Sequence, residues 1–141
     1  MAQIGLLEDN ARIAKLCATL LDYAGHQVTL YKHPDECLQA LLPAQVAYDH
    51  FAPTYAAPAV LALPIDVLIL DLYMPGISGI EVLQKLRAHP QTHTLPLILC
   101  TAATPAEIAR ALNLAPQAIV VEKPFKLQTL TSAITTSLRL S

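Results

Sequence analysis

Residues 67–79 read VLILDLYMPGISG, and this stretch decides the fold. Its first four side chains are all apolar, and Asp71 follows them directly. A continuous apolar run of this length is typical of a parallel strand covered on both faces, because a half-exposed strand alternates between apolar and polar residues. A helix is expected next, over about 78–88. Its inward stripe is Ile80, Leu83 and Leu86. The stretch therefore predicts a buried strand that ends at Asp71 and leads into a helix.

The same alternation of strand and helix continues on both sides of this stretch. Short apolar runs predict further strands over 3–7, 27–30, 97–100 and 118–121. Amphipathic segments separate these runs, and a last helix is expected over about 126–138. Five strands in strict alternation with five helices predict a doubly wound α/β fold with a parallel sheet.

Several helix boundaries are marked by capping residues. Asn10 is placed to cap the first helix and Gly25 to end it. Pro34 suits the first turn of a short second helix. Residues 104–107, Thr-Pro-Ala-Glu, form a capping box with proline at the first helical position. The predicted apolar face of the first helix consists of Ile13, Leu16, Cys17, Leu20 and Leu21.

Composition limits the function classes. Hydrophobic residues make up 54% of the 141 residues and charged residues 14%, which indicates a globular chain. A net charge of −2 gives no basis for direct binding to nucleic acid or acidic lipid. The three cysteines form no C-x-x-C pair, and no apolar run reaches the ~18 residues of a membrane helix. The sequence therefore predicts a cytoplasmic protein with reduced thiols and no membrane association.

One stretch, Pro43 to Pro64, interrupts the alternation. It is rich in proline and alanine, and its single charged residue is Asp49. Its prolines exclude one regular helix. A solvated loop of this size normally carries more charge, so the aromatic side chains in it are predicted to be partly buried, against this domain or a second copy. These aromatic residues are Tyr48, Phe51 and Tyr55.

Polar residues at the ends of the predicted strands carry the chemistry. In a doubly wound sheet the carboxyl ends of the strands meet at one edge, where ligands bind. Three carboxylates cannot all stay ionised at close range without a cation, because a pair about 4 Å apart repels by roughly 4 kcal/mol at an effective dielectric of 20. Their hard oxygens suit Mg²⁺, which usually shares its shell with a phosphate. The residues predicted to meet there are Glu8, Asp9, Asp71, Thr101 and Lys123.

These residues resemble the response-regulator receiver family (CheY-like) of two-component signalling. Glu8-Asp9 ends the first strand, as the acidic pair of the family does, and residues 71–79 resemble its phosphoacceptor loop. Thr101 lies 30 residues after Asp71, and Lys123-Pro124-Phe125 begins 52 residues after it, both as in the family. The resemblance implies a single receiver domain over residues 1–141, with residues 43–64 as an insertion. It also implies a flavodoxin-like sheet in the order 2-1-3-4-5.

The resemblance further implies a mechanism. Asp71 would accept a phosphoryl group from a sensor histidine kinase or a histidine phosphotransfer protein, and a shape change would signal to a downstream protein. Lys123 and Thr101 would contact the phosphoryl oxygens, and the Lys123–Pro124 bond would be cis. The implied Mg²⁺ ligands are Glu8, Asp9, Asp71 and the backbone carbonyl of Tyr73. The chain would be a phosphoacceptor regulator that assists its own phosphorylation and dephosphorylation, not an enzyme. Apart from the resemblance, a second copy of the chain is a further candidate partner.

Two positions depart from the family pattern. Val120 stands three residues before Lys123, where the family usually has the aromatic residue that rotates on activation. Tyr73, two residues after Asp71, is bulkier than the usual side chain there. The first departure questions the aromatic switch, and the second predicts slow loss of the phosphoryl group.

Two other functions stay open from the sequence. The first is an aspartate-nucleophile phosphatase of similar topology, but such enzymes typically carry a second aspartate where Tyr73 stands here. The second is a receiver-like interaction domain that is never phosphorylated, although such domains typically lose part of the acid, Thr101 and Lys123 set. Turnover of a phosphomonoester would separate the first from the phosphorylation switch.

Overall fold

The computed structural model describes residues 2–42, 63–74 and 78–140. A single parallel sheet lies at the centre of this part of the chain, with the strand order β2-β1-β3-β4-β5. The strands are β1 (Gln3–Leu7), β2 (Gln27–Tyr31), β3 (Val67–Leu70), β4 (Leu97–Thr101) and β5 (Ile119–Glu122). The predicted doubly wound fold and its flavodoxin-like order are therefore confirmed.

A helix follows each strand and covers the sheet from one side or the other. The helices are α1 (Ala11–Tyr23), α2 (Pro34–Leu41), α3 (Gly79–Ala88), α4 (Pro105–Leu114) and α5 (Leu127–Leu140). Buried side chains of α1 and α5 share one core with the sheet, and those of α2, α3 and α4 share the other. None of the helices in the described ranges is both long and apolar enough to cross a membrane.

The central strand β3 shows why its sequence is continuously apolar. Val67 and Ile69 belong to the core under α1 and α5, whereas Leu68 and Leu70 belong to the core under α2, α3 and α4. All four are at most 1% exposed, because successive side chains of a strand point to opposite faces and both faces are covered here. This burial fixes the strand in register, and its end places Asp71 at the edge of the sheet.

The helix ends follow the capping residues of the sequence. The Asn10 side chain accepts hydrogen bonds from the backbone N–H groups of Arg12 and Ile13, and so caps α1. Thr104 caps α4 by accepting the N–H of Glu107. Gly25 ends α1 with a φ of 96°, a left-handed conformation that glycine adopts at little cost. These local signals were sufficient because each of them acts within one turn.

The predicted face of α1 was wrong at Leu16, which is 60% exposed. The buried residues of this helix are Ala14, Cys17 and Leu21. They follow one another at three and four residues and form a single stripe, whereas Leu16 is two residues from Ala14 and points about 200° away from it. The small Ala14 side chain is a weak sequence signal, so hydrophobic periodicity favours the larger leucine on the buried face.

Several predicted boundaries also shift by one or two residues. β5 runs one residue later than predicted, because the N–H of Ala118 closes a turn on the carbonyl of Ala115 before the strand begins. β2 and β4 each extend one residue further, and α5 runs from 127 to 140 instead of 126 to 138. The prediction that Tyr48, Phe51 and Tyr55 are partly buried falls on residues 43–62, which lie outside the described residues.

Candidate functional site

The carboxyl edge of the sheet brings four chain segments together. β1 and β3 pair in parallel with Leu7 opposite Leu70, so the residues that follow them, Glu8 and Asp71, leave the sheet side by side. β4 ends at Thr101, and the backbone N–H of Lys123 donates to the Thr101 carbonyl over 3.1 Å. The polar residues predicted from the sequence therefore lie at one edge, as the fold requires.

Three carboxylates form a cluster at this edge. One oxygen atom from each of Glu8, Asp9 and Asp71 lies within 4.8 Å of the others. Glu8 and Asp71 are only 5% and 7% exposed, whereas Asp9 is exposed. Carboxylate oxygens at this separation form a hard donor set that fits Mg²⁺, and the open side at Asp9 leaves room for water or phosphate oxygens.

Lys123 already neutralises part of this cluster. Its Nζ atom lies 2.7 Å from Glu8 Oε1 and 3.0 Å from Asp71 Oδ2, close enough for two charge-assisted hydrogen bonds. The second carboxylate oxygen of Asp71 and that of Glu8 each accept a backbone N–H group. Asp71 Oδ1 accepts the N–H of Tyr73 over 3.0 Å, and Glu8 Oε2 accepts that of Asn10 over 3.3 Å. Both oxygens of Asp71 are thus held in place.

Thr101 lies beside this cluster and is fully buried. Its hydroxyl oxygen accepts the backbone N–H of Ala103 over 3.0 Å. A hydroxyl that accepts in this way still has its own proton to donate. The peptide bond between Lys123 and Pro124 is cis, as the resemblance implied.

Burial and charge shift the pKa values of two of these groups. Burial raises the pKa of Glu8 above its ordinary value of 4.5, and this effect outweighs the hydrogen bond and the charge of Lys123, which lower it. For Lys123, burial lowers the pKa, but the hydrogen bonds and charges of Glu8 and Asp71 raise it more, to above 10.5. The site therefore keeps its ammonium group at neutral pH and holds Glu8 in an environment unfavourable to its charge.

The raised pKa of Glu8 predicts how stability depends on pH without metal. Between 4.5 and the pKa in the folded protein, the folded state binds more protons than the unfolded chain, so the contribution of Glu8 to stability is lost as the pH rises through this window. Glu8→Gln should remove this loss. The free energy of unfolding of both proteins is measured with urea, in EDTA, from pH 4.5 to pH 7. The value for Glu8→Gln should increase relative to that for wild type as the pH rises. A constant difference would contradict the account.

A family model described as the response regulator receiver domain matches residues 52–135, more than half of the 141 residues. The chain belongs to this family. The matched residues include Asp71, Thr101 and Lys123, whereas Glu8 and Asp9 precede them. In this receiver domain of two-component signalling, the acidic cluster resembles the phosphoacceptor site of the family.

Similar curated proteins align with nearly the whole chain. The chain is 31% identical, over 143 residues, to the phosphate regulon transcriptional regulatory protein PhoB of Rhizobium meliloti, covering 99% of this chain and 53% of that protein. It is 34% identical, over 142 residues, to the transcriptional regulatory protein CpxR of Klebsiella pneumoniae, covering 100% of this chain and 51% of that protein. The receiver thus spans about half the length of these relatives.

Solved receiver structures share the fold at lower identity. A response regulator receiver domain protein from Methanospirillum hungatei superposes with a TM-score of 0.75 at 19% identity, covering 99% of this chain and 95% of that one. One from Clostridium thermocellum gives a TM-score of 0.73 at 23% identity, covering 99% and 96%. At these identities the similarity supports the fold alone.

Three features of the receiver site are not predicted from the sequence. Glu8 and Asp9 are predicted to be an equivalent pair, but of the two only Glu8 is buried and bound to Lys123. Alternation along an extended chain could have signalled this, because neighbouring side chains after a strand point to opposite sides. Tyr73 donates its backbone N–H to Asp71, although the residue as a whole is 71% exposed. Val120, at the position of the usual aromatic residue, packs half-buried against the core under α4.

Proposed function

We propose that this receiver is a phosphorylation switch whose phosphoacceptor is Asp71. The observation that carries the proposal is the position of Asp71. It belongs to a cluster of three carboxylates, and its Oδ2 atom lies 3.0 Å from Lys123 Nζ. In the proposed step an Asp71 oxygen forms a bond to phosphorus while the bond from phosphorus to a histidine nitrogen of the donor breaks. The nitrogen keeps the electron pair, and Asp71 becomes an acyl phosphate.

The acid cluster is the proposed Mg²⁺ site, with Glu8, Asp9, Asp71 and the backbone carbonyl of Tyr73 as ligands. Bound there, the ion would supply positive charge against the phosphoryl oxygens. The protein's own residues complete the arrangement. Lys123 offers an ammonium group beside Asp71, and the Thr101 hydroxyl has a proton to donate. Holding and neutralising the transferred group is most of what phosphoryl transfer requires.

The Mg²⁺ assignment is tested without any phosphoryl donor. Wild type should bind Mg²⁺, and Asp9→Asn should weaken the binding at least tenfold, about 1.4 kcal/mol, because one carboxylate of the cluster is lost. Asp9 is exposed, so the variant should fold normally. Titration calorimetry measures the affinity, with Asp22→Asn as the control, an exposed aspartate of α1 outside the cluster. Equal affinities for Asp9→Asn and the control would remove Asp9 from the site.

Membership of the receiver family implies a histidine kinase as partner. We propose that the immediate donor is a sensor histidine kinase or a histidine phosphotransfer protein, and that the output is a changed surface read by a downstream protein or by a second copy of the chain. We also propose one receiver domain over residues 1–141, with 43–64 as an insertion, working in the cytoplasm. The unpaired, buried state of Cys17, Cys37 and Cys100 supports a reducing compartment.

A further inference from the structure

Gly79, the first residue of α3, lies directly against the backbone of Asp71 and Leu72. A Cβ atom at this position would be 2.5 Å from the Cα of Leu72 and 2.7 Å from the carbonyl oxygen of Asp71. Real Cβ atoms essentially never approach within 3.0 Å of other atoms, and both neighbours here are backbone atoms that cannot rotate away. The backbone N–H of Gly79 also donates to the Leu72 carbonyl over 3.1 Å.

Glycine is required at position 79 because there is no room for a side chain, not because of the backbone conformation. Among the described glycines the one with a positive φ is Gly25, so Gly79 occupies a conformation that other residues adopt readily. Glycine is a poor helix former, and alanine would favour α3 more strongly. The contact with the backbone of Asp71 and Leu72 is the feature of the structure that excludes a larger residue.

We propose that Gly79 is a positioning residue for the phosphoacceptor. By lacking a side chain it lets the start of α3 fix the backbone of Asp71 and Leu72 relative to Glu8 and Lys123, which come from other segments. Bringing the new contact from 2.5 Å to an ordinary 3.4 Å needs a shift of about 0.9 Å. A misplacement near 1 Å costs about 100-fold in rate when the displaced group must be aligned for reaction.

This inference rests on the proposed function, and Gly79→Ala tests it. We expect the variant to fold and unfold cooperatively, to bind Mg²⁺ at least tenfold more weakly, and to be labelled by acetyl phosphate about 100-fold more slowly than wild type. The chain has no tryptophan, so the Mg²⁺ affinity is measured by titration calorimetry. Labelling is followed by intact mass.

Leu86→Ala is the matched control, because it removes a fully buried side chain from the same helix, about two turns from the site. It should lower the Tm at least as much as Gly79→Ala, while its Mg²⁺ affinity stays within twofold of wild type. Mg²⁺ binding that falls in proportion to Tm in both variants would overturn the proposal. So would an affinity and a labelling rate of Gly79→Ala within twofold of wild type.

Two further outcomes concern the folding of Gly79→Ala and the labelling of wild type. If Gly79→Ala does not fold in buffer, the measurements are made in trimethylamine N-oxide, which favours the folded state. A variant that stays unfolded there overturns the proposal, because Gly79 would then be required for folding as such. If wild type itself is not labelled, the proposed function fails, and the Mg²⁺ affinities of the two variants still decide whether Gly79 positions the cluster.

Discussion

Asp71→Asn is expected to abolish labelling by acetyl phosphate and binding of beryllofluoride. The amide oxygen of asparagine can still accept the backbone N–H of Tyr73, so the fold should be retained. The amide lacks the nucleophilic carboxylate oxygen, so no acyl phosphate can form. Removing one negative charge from the cluster also relieves its repulsion. We therefore expect a folded protein with no detectable phosphoryl adduct, observed by intact mass after incubation.

Asp66→Asn is the matched control for this variant. Asp66 precedes β3, at the other end of the strand from Asp71, and its Oδ2 accepts the backbone N–H of Gln3 over 2.8 Å. An asparagine oxygen can accept the same bond, so this variant makes the same chemical change away from the cluster. Its labelling should match that of wild type. Undiminished labelling of Asp71→Asn would refute the assignment of the phosphoacceptor.

Lys123→Met is expected to change three properties, and not all in the same direction. Without Mg²⁺, Glu8 and Asp71 lose their ammonium partner, which should lower the free energy of unfolding by roughly 2 kcal/mol, less than for a fully buried pair because Lys123 is 18% exposed. Mg²⁺ should bind at least tenfold more tightly, because no ammonium repels it or competes for the same oxygens. Labelling should fall at least 100-fold, since the charge beside the transferred group is lost.

These opposite changes distinguish a specific role of Lys123 from general damage to the site. A distorted pocket would lower both Mg²⁺ affinity and labelling. Lys123→Met should instead bind Mg²⁺ more tightly and be labelled more slowly. Lys126→Met makes the same charge change at an exposed residue three positions later and should behave as wild type in all three measurements. Weaker Mg²⁺ binding by Lys123→Met would show that the ammonium does not compete with the ion.

Much of the fold could be predicted because its signals are local or strictly periodic. The run Val67–Leu70 indicated burial on both faces, and cap residues such as Asn10 and Thr104 marked helix ends within one turn. The prediction that Leu16 is buried is wrong because periodicity ranks residues by size and hydrophobicity, whereas the packing of α1 buries the smaller Ala14. Strand ends shifted by a residue because turns such as that at Ala118 are set by their own hydrogen bonds.

The residues that form the site could be predicted from topology, but the contacts among them could not. Parallel strands carry Glu8 and Asp71 to one edge whatever their neighbours are. Lys123 bonds to Glu8 as well as to Asp71. These contacts depend on side-chain distances of a few ångströms, which strand order does not determine. The contact of Gly79 with the Asp71 backbone depends in the same way on how α3 packs.

The most direct test of the central claim is to locate the phosphoryl group on the wild-type protein. The protein is treated with acetyl phosphate and Mg²⁺, the acyl phosphate is reduced with borohydride, and the modified residue is identified by tandem mass spectrometry. Trypsin would leave Asp71 in a long peptide, residues 33–85, so chymotrypsin is the better protease. The account predicts modification at Asp71. Modification at another residue, or none in the folded, Mg²⁺-bound protein, would contradict it.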